Sequence, residues 1–348
     1  MSVKILTLCW ALLAALPATA QGFADLGRSA EGFTQPAPGV DLSFPADHGP
    51  HPDYRIEWWY LTATLTGEDG QDYGVQWTLF RSALQPNEAK GWQSPQLWMG
   101  HAALTTDDAH YYAERLARGG IGQAGVTASP FEAWIDEWTM RGRDDLSSLS
   151  VNATGAAFGY ALEMTAKTPL VLHGDQGYSV KSGSGQASYY YAQPSYAVTG
   201  TLQLPDGPVN VTGNGWLDRE WSSQPLAADQ TGWDWFSLAM DDGARLMGFL
   251  LRDSGDGYSS ATWIAPDGSV QVYGDGAFTA TPLATALVEG RDIPVRWRVE
   301  LPAKGVDVEI SALNPQSWMA TSFAYWEGPI EFTGSHQGRG YLEMTGYE

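Results

Sequence analysis

The sequence predicts an all-β protein built from two copies of one antiparallel unit, and three observations carry that expectation. The aromatic strand Glu57-Trp58-Trp59-Tyr60 returns late in the chain as Gly232-Trp233-Asp234-Trp235-Phe236. With Trp59 aligned on Trp235, each copy runs into an acidic turn, Asp69-Gly70 or Asp242-Gly243, and then an apolar strand ending in Arg81 or Arg252. A pattern repeated at this scale marks a duplicated unit. Composition is the second observation: 40 glycines, 20 prolines, 16 tryptophans, 16 tyrosines and 11 phenylalanines, with few helical periods, describe short strands separated by turns. The third is length, since 348 residues exceed a usual single domain and suit two that each bury a core.

In chain order, Lys4, the apolar run 5–17 and the small residues Ala18-Thr19-Ala20 before Gln21 form the three parts of a secretory signal. The apolar run is short for a bilayer span, so residues 1–20 are expected to be removed and the protein to be periplasmic or secreted. Cys9, the single cysteine, would leave with them. The exported chain then has no thiol, which excludes disulfides and thiolate chemistry. Residues 21–50, rich in glycine, proline and alanine, read as an ordered lead-in or a flexible arm. A first domain is expected over 51–207 and a second over 208–348. Strand-like runs within them are bounded by turn signals such as Glu68-Asp69-Gly70 and Leu204-Pro205-Asp206-Gly207. About eight strands per unit suit an up-and-down barrel that closes its own edges, and a β-sandwich fits the same count.

The formal net charge is −21, which disfavours nucleic acid and anionic membrane surfaces as partners. No further apolar stretch is long enough to span a bilayer. A monomer is expected. There is no G-x-S-x-G elbow, no H-E-x-x-H, no P-loop and no dinucleotide fingerprint, so neither a cofactor nor a metal is expected. His48 and His51 flank Gly49-Pro50 in a loop, and without a third ligand they make no metal site.

The segments HGPHPDYRIEWWYLTATL, GHAALT, ERLARGGIGQAG, LDREWSSQPL, GWDWFSL and the terminal YWEGPIEFTG and GRGYLEMTGY resemble the AttH-like proteins related to hydroxyneurosporene synthase, the carotenoid 1,2-hydratase. The resemblance spans nearly all of the chain beyond residue 20. It implies two lipocalin-like β-barrels in tandem. In the hydratase branch it also implies cofactor-free addition of water to a terminal isoprenoid double bond, while other relatives carry isomerising or pericyclic chemistry. Exported members are often labelled predicted hydrolases, a label for which no motif is present.

Protonating an alkene requires a carboxylic acid in a dry pocket and aromatic faces that tolerate a carbocation. Residues 216–221 offer both. In a strand Trp216, Asp218 and Glu220 share one face, and Leu217, Arg219 and Trp221 the other. Two carboxylates on one face are costly to bury unless paired or used, so Asp218 and Glu220 are the first candidates for catalysis; the structural alternative is an ion-paired network through Arg219 or Arg252. Glu57, in phase with Trp59 and Leu61, is a candidate inward carboxylate at a barrel mouth or a partner for Arg55 or Arg81. His101, in an apolar strand, is a candidate base or a satisfied core histidine. Asp234 and Glu327 read as structural acceptors, and His173 as a loop residue. Trp59, Trp77, Tyr191, Trp216, Trp221 and Trp235 are candidate walls for a hydrophobic small molecule. Three functions follow: a hydratase or isomerase acting on an apolar isoprenoid-type substrate, a carrier of a lipid-like molecule, and a glycan binder.

Overall fold

The computed structural model describes residues 30–347 apart from 87, 88 and 225; the expected signal segment and Cys9 lie outside the described residues. Thirteen strands form the first sheet: β1 (Ile56–Gly67), β2 (Asp72–Ala83), β3 (Gln96–Thr105), β4 (His110–Arg118), β5 (Ala124–Ala128), β6 (Phe131–Ile135), β7 (Trp138–Gly142), β8 (Ser148–Thr154), β9 (Gly159–Ala166), β10 (Val171–Leu172), β11 (Tyr178–Val180), β12 (Ala187–Leu204) and β13 (Gly207–Ser222). Ten form the second: β14 (Gly232–Met240), β15 (Arg245–Arg252), β16 (Tyr258–Ile264), β17 (Val270–Tyr273), β18 (Thr279–Val288), β19 (Arg291–Leu301), β20 (Val306–Ala312), β21 (Trp318–Met319), β22 (Tyr325–Gly334) and β23 (Gly338–Met344). The excess over eight comes partly from short pieces such as β10, β11 and β21.

Both sheets are antiparallel and curl into near-closed barrels. In the first, β6 packs back against β2, β3 and β4. The topology repeats: the first strand of each sheet pairs with its last, β1 with β13 and β14 with β23, and the first hairpin runs outward from that seam. Hairpins β1–β2 and β14–β15 therefore hold equivalent places in two different sheets, as duplication requires.

Two expectations need correction. The second unit does not begin at 208, because β13 is paired along its length with β1 and β12; the sheets divide between Ser222 and Gly232, and the segment 216–221 closes the first barrel. Nor are Trp59 and Trp235 equivalent. Trp59 points into the first barrel with Leu61 and Trp77, whereas Trp235 lies between the barrels and Phe236 fills the second one. A slip of one residue turns a strand's side chains to the opposite face, and the true counterpart of Trp235 is Trp58.

The described part of the lead-in is ordered and covers the mouth of the first barrel. Phe33 and His48 are buried there. The Trp59 indole N–H donates to the His48 carbonyl at 2.9 Å, and His48 Nδ1 lies 2.6 Å from the Tyr191 hydroxyl.

The barrels pack through β1 and β2 against β22 and β23, where Gly74 of β2 meets Pro329 of β22. A Cβ at Gly74 would stand 2.5 Å from Pro329 Cγ, so only a bare backbone permits this approach. Gly74→Val is accordingly expected to destabilise the protein by about 1–3 kcal/mol through overpacking, read by urea unfolding; an unchanged midpoint would mean the barrels are free to shift.

Candidate functional site between the barrels

Cross-strand pairing sets out the site in two rows. On the first barrel, Phe80, Trp58, Glu220 and Tyr190 stand side by side across β2, β1, β13 and β12. On the second, Phe249, Trp235 and Glu343 stand across β15, β14 and β23. All seven line one cavity of about 160 Å³, joined by Lys181, Ser188, Trp233 and, one row further along, Tyr60 and Asp218. Each barrel thus presents a Phe, a Trp and a Glu in register, on its second, first and last strands.

Alternation along β13 divides its residues between two environments. Asp218 and Glu220 face this cavity, while Leu217 and Trp221 belong to the core of the first barrel. Glu220 accepts a hydrogen bond from the Ser188 hydroxyl and pairs with Lys181 at 2.9 Å. The Lys181 ammonium sits 4.3 Å from the Tyr190 ring centre and 4.9 Å from that of Phe249, so one cation touches both barrels. Among the described residues Asp218 forms no ion pair, and Tyr190 and Lys181 only weakly favour its charged form. Burial pushes its carboxyl well above the usual carboxylate range; the Trp216 indole N–H, donating at 2.8 Å, opposes the shift, and neighbouring Glu220 reinforces it. Across the cavity, burial raises Glu343 to about 7, against the Trp233 indole N–H that donates to it at 2.7 Å.

The other expected site residues fall elsewhere. Glu57 lies inside the mouth of the first barrel, fully buried, bonded to Arg81 and Arg219 and 3.1 Å from His51 Nδ1. Burial opposes its ionisation, but Arg81, then Arg219 and His51, outweigh this and hold its carboxyl well below the usual range. The expected pairing of Asp218 or Glu220 with Arg219 does not form, because the Arg219 side chain is on the other face of β13. His101 is buried in the contact between barrels, 3.0 Å from the Tyr325 hydroxyl and 3.2 Å from Glu114. Beside it the Tyr60 hydroxyl donates to Glu327 at 2.7 Å. Neither Glu57 nor His101 lines the cavity.

Of the expected aromatic walls, Trp235 lines the cavity, and Trp216 packs edge-on behind it with ring centres 6.2 Å apart. Trp59, Trp77, Tyr191 and Trp221 instead fill the first barrel. His51, read as a loop residue, stacks on Trp221 at 4.0 Å. His173, also read as a loop residue, is buried behind the cavity wall, stacked on Tyr190 at 4.0 Å. Sequence reasoning missed Lys181, Trp58, Trp233 and Glu343 as site residues, and chose Tyr191 from the tyrosine triplet where Tyr190 faces the site. Trp58 and Tyr190 are marked only once the strands pair, when each becomes a register partner of Glu220. Among the described residues no group of three His, Cys, Asp or Glu is placed to hold a metal ion, and no helix is long and apolar enough to cross a membrane.

Together these features define a tandem β-barrel protein with an aromatic, carboxyl-bearing cavity between its barrels. The chain belongs to the AttH-like family, whose sequence pattern matches residues 35–347. It is 32% identical to a protein described as an AttH from Nitrosomonas europaea, over 91% of this chain and all of that one, with a TM-score of 0.81. Kievitone hydratase from Nectria haematococca shares the fold at 17% identity and a TM-score of 0.67, over 90% of this chain and 95% of that one. CghA, solved with Sch210972, does so at 14% and 0.57, over 92% and 97%. No curated protein matches the sequence.

Proposed function

We propose that the cavity between the barrels performs cofactor-independent acid–base chemistry on an apolar, isoprenoid-type alkene, hydrating it or shifting its double bond, with Asp218 as the acid. One observation carries this reading: a buried carboxyl that favours its protonated form faces an aromatic cavity. A purely apolar pocket would point to a carrier. Here the Asp218 O–H bond breaks as its proton forms a C–H bond with one alkene carbon, using the π electrons. The neighbouring carbon becomes cationic beside the Trp58 and Trp235 rings, which attract positive charge through their faces. Water then adds its oxygen to that carbon and gives up a proton, so that one water is added and the acid is restored. Loss of a proton from carbon instead would yield the isomer. The hydratase named among the structural neighbours agrees in reaction class.

Incubating the protein with an acyclic isoprenoid alkene in oxygen-18 water tests this reading. A product carrying one labelled hydroxyl, or a double-bond isomer, is the expected result. Recovery of the unchanged alkene bound to the protein would replace catalysis with carriage, which the same aromatic lining would serve.

A further inference from the structure

The two Phe, Trp and Glu rows are copies of one arrangement, yet their carboxyls have diverged. Glu220 is engaged by Lys181 and Ser188. Glu343 receives one N–H, from Trp233, and its remaining acceptor capacity faces the cavity.

We propose that Glu343 is the base of this site, taking the proton of the attacking water from the side opposite the acid. The inference deepens the function proposed above and rests on it. As the water oxygen bonds to the cationic carbon, one water O–H bond breaks and its proton passes to the Glu343 carboxylate; once product leaves, Glu343 releases that proton and Asp218 regains one. The catalytic groups are then divided between barrels, the acid on the last strand of the first and the base on the last strand of the second.

The charges around Glu343 suit this role. Glu220 and Asp218 face it from β13, Tyr60 from β1 and Lys181 from beyond β11, while Glu327 is its direct register partner on β22. Lys181, the cation among them, is paired with Glu220. Glu327 is pushed well above the usual carboxylate range, by burial and then by Glu343 itself. With its carboxyl at about 7, Glu343 is a base that exists in both forms near neutral pH, where general base catalysis is most effective.

Two measurements test the assignment. In oxygen-18 water with an acyclic isoprenoid alkene, Glu343→Gln is expected to lose roughly a hundredfold in rate while still binding the alkene. Glu343→Asp should recover part of that loss, and the parent rate should rise with pH through about 7. Independently of turnover, Trp233 fluorescence should titrate near the same pH. That transition should vanish in Glu343→Gln and move to lower pH in Glu220→Gln, where a like charge is removed. A folded Glu343→Gln variant with the parent rate, or no Trp233 transition near neutrality, would overturn the inference. If Asp218→Asn is inactive while Glu343→Gln is not, only the base assignment falls; a parent protein without turnover overturns both readings.

Discussion

Asp218→Asn is expected to lower turnover by about 10²–10⁴-fold with no loss of melting temperature. The replacement keeps the shape of the protonated side chain and removes the proton it would donate. Stability follows from the direction of the pKa shift. A carboxyl raised in the fold binds more protons folded than unfolded, so it weakens the protein progressively as pH climbs from the unfolded value towards the folded one. An amide does not titrate and removes that penalty, so the variant should melt at or above the parent temperature at pH 7. Steady-state rates and calorimetry on one preparation decide the matter. A variant that melts early and binds poorly would make Asp218 a structural residue, and full turnover in a stable variant would remove it as the acid.

The largest stability effect is expected on the other face of the same strand. Arg219→Met should lower the unfolding free energy by about 2–4 kcal/mol, through the lost charge-assisted bond to buried Glu57 and a Gly49 carbonyl left without its donor. Arg219 is 1% exposed. It bonds to Glu57 and, at 2.6 Å, to the Gly49 carbonyl, and it lies 3.8 Å from the Trp59 ring centre, so the lead-in, β1 and β13 all depend on it. Methionine keeps most of the apolar stem and leaves Glu57 with Arg81 and His51. Because the Glu57 carboxyl is depressed in the fold, its contribution is present above the unfolded carboxylate value and is lost as pH falls through the folded one. The parent should therefore lose stability in acid over a window where Arg219→Met changes less. A change below about 1 kcal/mol in urea unfolding would show a pair worth no more than a surface one.

Much of the architecture was legible because it is local. Period-two alternation placed Asp218 and Glu220 on one face and Arg219 and Trp221 on the other, and the duplicated hairpin identified two sheets. The same period explains the errors. In Trp58-Trp59, Tyr189-Tyr190-Tyr191 and Trp233-Asp234-Trp235, adjacent aromatics face opposite sides, and composition does not reveal which side is the barrel interior. Choosing Trp59 over Trp58 and Tyr191 over Tyr190 was a choice of face. Reading β13 as the start of a second domain was a choice of partner, since its hydrogen bonds run to β1, far earlier in the chain.

By itself the sequence determined an all-β chain, its duplication and the carboxyl pair on one strand face, because turn residues, alternation and repeats act between neighbours. Only the tertiary structure decided that both barrels give the cavity a Phe, Trp and Glu row, that Lys181 engages Glu220 while Arg219 engages Glu57, and that Glu343 faces the acid across the gap. Those outcomes depend on which strands meet across the seams and on how thoroughly each carboxyl loses its water. Desolvation, the leading influence on both Asp218 and Glu343, is a property of surrounding residues distant in sequence, and so exists only once the two barrels have closed on one another.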